Sequence, residues 1–308
     1  MGRFSIIRID RAESDSAQAM EGDSRVQSVP MSLPLTDTRF FFRPLSAELV
    51  ALLQSLPAWA WGRPTVAGTW RVRDIVAHLV DTTLRRLSFE RDRAAPPSPQ
   101  GPLEGDRDLV AYINELNAAW IRAAERLSPR VLTDLYARAS VDLADFVESL
   151  QLDGPALFPV SWAGERESLA WFDIGREFTE VWHHGAQIRE AVGAGSYSDP
   201  RWLHAVLVLA LHALPHAYRD VPGRLQQSLV IDITGDAGGC WTLHCGAGRW
   251  DIREGAAPGP SARATISDEV AWRLFFNALS PSAAETLVHL EGDVALGLPL
   301  LRARSVIV

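Results

Sequence analysis

Apolar residues recur at three- and four-residue intervals from about residue 45 to 193, a spacing that predicts a succession of amphipathic helices. A short one runs from Leu45 to Leu56 and stops at Pro57. The next, Trp70 to about Arg91, takes Thr69 as its N-cap. Its apolar stripe is Val72, Ile75, Val76, Leu79 and Leu87, with His78 beside it. The run Ala94 to Pro102 is a loop by composition. A third helix, about Asp106 to Leu127, turns Leu109, Ile113, Leu116, Trp120 and Ala124 inward, and a shorter one spans about Pro129 to Leu150. Phe158 to Gly164 reads as a loop or small extended piece. Ser168 is placed to cap the last long helix, which Gly193-Ala-Gly195 ends. Four main helices with one long loop predict an antiparallel bundle.

The period changes after residue 200. A helix from about Pro200 to Arg219 leads to three strand candidates, Leu229 to Thr234, Cys240 to Cys245 and Arg249 to Arg253, separated by glycine turns. Asp268 to Leu279 is helical in pattern, Ala284 to Leu290 is apolar, and Gly292-Asp293 is a turn. This half is α+β. The expected organisation is a disordered leader over 1–38, a helical bundle over 39–195 and a small α+β domain over 196–308.

Composition narrows the classes. A 47% apolar and 22% charged chain is that of a soluble globular protein, and the net charge of −8 argues against a nucleic-acid or anionic-membrane surface. No segment of about 20 apolar residues spans a membrane. All 30 basic residues are arginine, which removes the lysine of a phosphate loop and any lysine Schiff base. Cys240 and Cys245 lie an odd number of residues apart in a strand, so they face opposite sides and read as reduced thiols of a cytoplasmic protein.

The chemistry concentrates in Glu180-Val-Trp-His183-His184. Residues four apart share a helix face, so Glu180 and His184 can aim a carboxylate oxygen and an imidazole nitrogen at one point. His78, from another helix, would supply a third ligand and leave a fourth position open, the ligand count of a catalytic zinc site. The competing reading is a solvated helical ion pair beside a core histidine. His183 is expected to be exposed or to lie behind the ligands, because a di-iron bundle would need two Glu-x-x-His copies and only one occurs. His212 and His216 flank Pro215 and read as packing or surface residues; His244 and His289 read as structural.

Two segments carry a family resemblance. Thr69-Trp-Arg-Val-Arg-Asp-Ile-Val-Ala-His-Leu-Val80 resembles the first ligand helix of the mycothiol-dependent maleylpyruvate isomerase family, in the DinB-like superfamily of four-helix metal proteins. Glu180-Val-Trp-His-His-Gly-Ala-Gln-Ile-Arg189 resembles its second. Ala264 to Asp268 and Leu290 to Leu296 resemble the sterol-carrier-like α+β domain that follows. The resemblance places the metal ligands on His78, Glu180 and His184. It implies a divalent ion, usually zinc, a low-molecular-weight thiol such as mycothiol, and isomerase or S-transferase chemistry on a small molecule. Gln187 stands where the family often has aspartate, which weakens any role of that residue behind the ligands.

Arg73, Arg176, Arg249 and Arg253 are candidate anchors for a carboxylate substrate. The expected partners are a substrate and a thiol, with no nucleic acid or membrane, in a monomer or homodimer. A metal site of this kind would also suit a hydrolase. In the other reading the protein is a non-catalytic binder whose apolar cavity is lined by Trp241, Trp250, Trp272, Phe275 and Phe276.

Overall fold

The computed structural model describes residues 31–99, 101 and 105–306. Its first half is helical: α1 (Phe42–Ser55), α2 (Val72–Arg86), α3 (Asp106–Ala124), α4 (Pro129–Glu148) and α5 (Ala170–Val192). Helices α1, α2, α4 and α5 form the bundle, burying Leu45, Leu49, Ile75, Leu79, Tyr136, Leu143 and Phe178. α3 packs chiefly on α2. Of its expected inner face only Ala124 is buried, while Leu109, Ile113, Leu116 and Trp120 are half-buried because no second helix covers them. The short α1 therefore takes the place in the bundle that the pattern suggested for α3.

Helix starts differ from the sequence reading at two places. α2 begins at Val72, not after Thr69, and the Asp74 carboxylate accepts the Arg71 N–H at 2.9 Å, supplying the cap from inside the first turn. Beyond Arg86 a π-helical turn, Leu87–Arg91, continues the rod to its expected end. α5 begins at Ala170, and Ser168 instead accepts the Val160 N–H at 2.9 Å, fixing the preceding loop. Gly193 does end α5, with the positive φ of 70° that favours glycine.

The second half joins α6 (Pro200–Leu211) and α7 (Leu214–Ala217) to a six-stranded sheet. Its strands are β1 (Met31–Ser32), β2 (Ser228–Thr234), β3 (Gly239–Gly246), β4 (Arg249–Glu254), β5 (Ala262–Ser267) and β6 (His289–Gly292), in the order β1-β4-β3-β2-β5-β6. β2 and β5 pair in parallel and every other pair is antiparallel. α8 (Asp268–Phe275), α9 (Pro281–Leu287) and α10 (Val294–Gly297) complete it. α8 stops short of Leu279 because Asn277 adopts a left-handed backbone, φ 56°. Buried apolar residues of both halves, from Phe42 to Ala303, form one continuous cluster.

Residues 1–30 of the expected leader lie outside the described residues. The rest of it is part of the fold: Met31 pairs with Glu254, and Leu33 to Asp37 border a cavity of about 310 Å³. Cys240 and Cys245 are both free, the first half-buried and the second buried, as alternation along β3 requires. Among the described residues no helix is long and apolar enough to cross a membrane.

Candidate metal centre

His78 sits in the middle of α2 among Ile75, Val76 and Leu79, so the same stripe that docks the helix carries it inward. Glu180 and His184 are one turn apart on α5, and Gly185 gives that helix room: a Cβ there would collide with the Tyr197 hydroxyl. One ligand-type atom from each of His78, Glu180 and His184 lies within 4.8 Å of the other two. Glu180 Oε2 is 3.5 Å from His184 Nε2, and the rings of His78 and His184 meet edge-to-face at 4.8 Å. Both imidazoles are buried, at 5% and 7% exposure, while Glu180 is half-buried.

The electrostatics favour a cation. Burial, and then the neighbouring His184, hold His78 well below the usual histidine range, so it is neutral and has a lone pair to offer. Its Nδ1 is buried without any hydrogen-bond partner, an orphan that an ion would satisfy. Burial pushes Glu180 up, but its contact with His184 and the neighbouring His183 and His78 outweigh that and keep it an anion. Two imidazole nitrogens and a carboxylate oxygen match a borderline divalent ion.

The surroundings fix the ligand geometry. Trp70, just before α2, lays its ring against both His78 and His184, at 4.9 and 5.9 Å between centroids. His184 Nδ1 is 2.8 Å from Gln187 Oε1, so the residue that differs from the resembling pattern keeps a hydrogen bond to the ligand. His183 is not exposed. It donates Nδ1–H to the Thr179 carbonyl at 2.7 Å and stacks on Phe276, and burial drives it down to about 3.

Beside the centre lies a buried ion network. Arg86 Nη1 donates to Asp173 Oδ2 at 2.8 Å, and Arg176 donates to Asp173 Oδ1, also at 2.8 Å. Burial raises Asp173, yet the two guanidiniums outweigh it and hold it below the carboxylate range. Glu177 contacts Arg176 through one oxygen and leaves the other unpaired, and burial raises it. Because α2 and α5 touch at Arg86–Asp173 as well as at His78–His184, they run antiparallel and are pinned twice.

Of the four candidate arginines, only Arg176 stands one turn from Glu180, and it is already engaged by Asp173 and Glu177. Arg73 binds carbonyls at the end of α3, Arg249 is exposed, and Arg253 pairs with Asp251. Arg85, which the sequence reading passed over, lies two turns from His78, 3.1 Å from Asp81 and 2.9 Å from Asn117. His212 packs against Trp171 and Phe172; His216 lies in α7; His244 faces Asp251 across the sheet. His289 is not a structural core residue, being 71% exposed at the side chain.

The five aromatic residues expected around one apolar cavity do not surround one. Trp250 and Phe275 are core, Phe276 stacks on His183, and Trp241 and Trp272 border different cavities, of about 310 and 640 Å³. Neither cavity includes His78, Glu180 or His184 among its lining residues. Trp70 and Phe276 had no legible signal, because what they contact depends on tertiary packing.

Residues 42–189 match the sequence profile of the mycothiol maleylpyruvate isomerase N-terminal domain. That match makes the helical half of the chain similar to the N-terminal domain of this family. A crystal structure of a histidine-to-alanine variant of the mycothiol-dependent maleylpyruvate isomerase aligns with TM-score 0.50 and 15% identity, over 84% of this chain and 93% of that one. The unsubstituted isomerase gives 0.48 and 15%, over 79% and 88%. The sterol carrier protein domain 2 of Helicoverpa armigera gives 0.26 and 19%, over 34% and 89%. At such identities the likeness to the isomerase is one of fold. No curated protein matches the chain by sequence.

Proposed function

We propose that this protein is a divalent-metal-dependent, thiol-using enzyme of the maleylpyruvate isomerase type, an isomerase or S-transferase acting on a small molecule. The convergence of His78 from α2 with Glu180 and His184 from α5 carries the reading. The three fit a zinc-type ion: they provide two nitrogens, one anionic oxygen and a three-ligand set that leaves a position open. When bound, such an ion lowers the pKa of a thiol enough to make thiolate available near neutral pH.

The chain's own residues do the rest. Glu180 supplies the negative charge that offsets the ion. The buried rings of His78 and His184, with the half-buried Trp70 laid against them, limit water on the inner side, which strengthens charge interactions there. Arg176 and Arg85 lie toward the same end of the antiparallel α2–α5 pair, since that end is where Arg86 meets Asp173. Both are already paired, Arg176 with Asp173 and Glu177 and Arg85 with Asp81, so a substrate carboxylate would have to share them. The catalytic bundle is assigned to residues 39–195 and the α+β domain to 196–308.

The test is the metal content of the purified protein beside His184→Ala, by elemental mass spectrometry, followed by calorimetric titration with mycothiol. About one divalent ion per chain, lost in the variant, and heat on adding thiol are expected. An unmetallated wild type that also fails to take up zinc would overturn the reading.

A further inference from the structure

His183 and His184 are adjacent, both buried, and each has Nδ1 in one short hydrogen bond. The partners differ in kind. His183 donates to a backbone carbonyl of its own helix, Thr179, which no substitution of the side chain at 179 removes. His184 meets a side chain, Gln187, itself only 4% exposed. A glutamine amide can accept a proton through oxygen or donate one through nitrogen, whereas a carboxylate can only accept.

A neutral imidazole carries its proton on one nitrogen, and only the other can hold a metal. His184 has two claims on that proton: Gln187 Oε1 at 2.8 Å from Nδ1, and Glu180 Oε2 at 3.5 Å from Nε2. The first is a hydrogen bond of ordinary length and the second is at the outer limit. We infer that Gln187 is a positioning residue that keeps the His184 proton on Nδ1 and so turns a free Nε2 lone pair toward His78 and Glu180. This rests on the metal-centre reading above. It also assigns a consequence to the neutral side chain at 187. Imidazole ligands bring no charge to a metal, so Glu180 would leave a bound divalent ion with one net positive charge, which a carboxylate at 187 would cancel.

Two measurements on the full-length protein separate this inference from the functional reading. The first is ¹⁵N NMR of His184 in metal-free protein, at a pH where the ring is neutral. The wild type shows the Nδ1–H tautomer, Gln187→Leu shows it depleted, and Gln187→Glu shows it restored. The second is zinc affinity by competition with a chromogenic chelator. Gln187→Leu binds about 10- to 100-fold more weakly, the usual cost of removing a hydrogen bond behind a metal-bound histidine, and Gln187→Glu binds more tightly than wild type. An unchanged tautomer in Gln187→Leu overturns the inference, as does a changed tautomer with unchanged zinc affinity. If the wild type takes up no zinc, the functional reading fails, and the tautomer alone decides whether Gln187 orients the ring. Should the leucine variant not fold, Gln187→Asn, one methylene too short to reach the ring, replaces it.

Discussion

Glu180 does work in this site that neither histidine can do, because it is the only charged group among the three side chains that converge. It lies 3.5 Å from His184 and, at 22% side-chain exposure against 9%, is the more open of the two. Replacing it by glutamine keeps the shape and one oxygen but removes the charge, so Glu180→Gln separates charge from packing. Zinc affinity is expected to fall by at least about tenfold, while the melting temperature of the metal-free protein falls modestly, since the contacts that outweigh the desolvation of the carboxylate are lost with its charge. Chelator competition and a thermal melt read the two effects. A variant that keeps its zinc affinity would mean that the carboxylate is an ordinary helical ion pair.

At the level of elements, two helices are held in register by a charge network that the ligands themselves do not touch. Arg86 and Asp173 are 3% and 0% exposed, and their 2.8 Å contact joins the end of α2 to the start of α5. Arg86→Met leaves Asp173 with Arg176 and a 3.4 Å contact from the Phe158 N–H, removes the partner of buried Glu90, and should cost about 3–5 kcal/mol in urea unfolding of metal-free protein. Arg130→Ala, which removes an exposed pair with Asp134, should change stability by less than about 1 kcal/mol. A small loss in Arg86→Met would show that the network is hydrated. This network was hidden from the sequence, because Arg86 and Asp173 are 87 residues apart and each looks like a surface residue of its own helix. The convergence of His78, Glu180 and His184 was legible for the opposite reason: Glu180 and His184 are brought together by helical spacing alone, and His78 sits beside an apolar stripe. The strands β2 to β4, apolar runs set off by glycine turns, could also be read. β1, two residues long and paired with the distant β4, carried too little local pattern, and β5 alternates but places small alanines at two of its three buried positions. α3 misled because apolar periodicity reports that a face can be buried, and here only α2 is present to bury it.

For the molecule as a whole, the joint between bundle and sheet has its own titrating group. His212 closes α6 and lies against Trp171 and Phe172 at the first turn of α5, with Nε2 buried and unpartnered. Burial drives its pKa from 6.5 to about 4. Above pH 6.5 the ring is neutral in folded and unfolded chains alike, so it adds no pH dependence. Between 6.5 and about 4 the unfolded chain takes up a proton that the folded chain refuses, so stability falls as pH falls. His183 shifts in the same direction, so acid sensitivity of the wild type alone would not identify the source. The difference between wild type and His212→Leu does. From pH 7 to pH 5 the wild type should lose about 1–2 kcal/mol more than the variant in urea unfolding of metal-free protein. The variant keeps an apolar contact with Phe172 and Leu209, which share a small separate cluster with Val160, so its stability at neutral pH should be close to or above that of wild type. Equal losses in the two proteins would mean that His212 is protonated or hydrated in the folded state, and that the α5–α6 joint opens in acid at some other point.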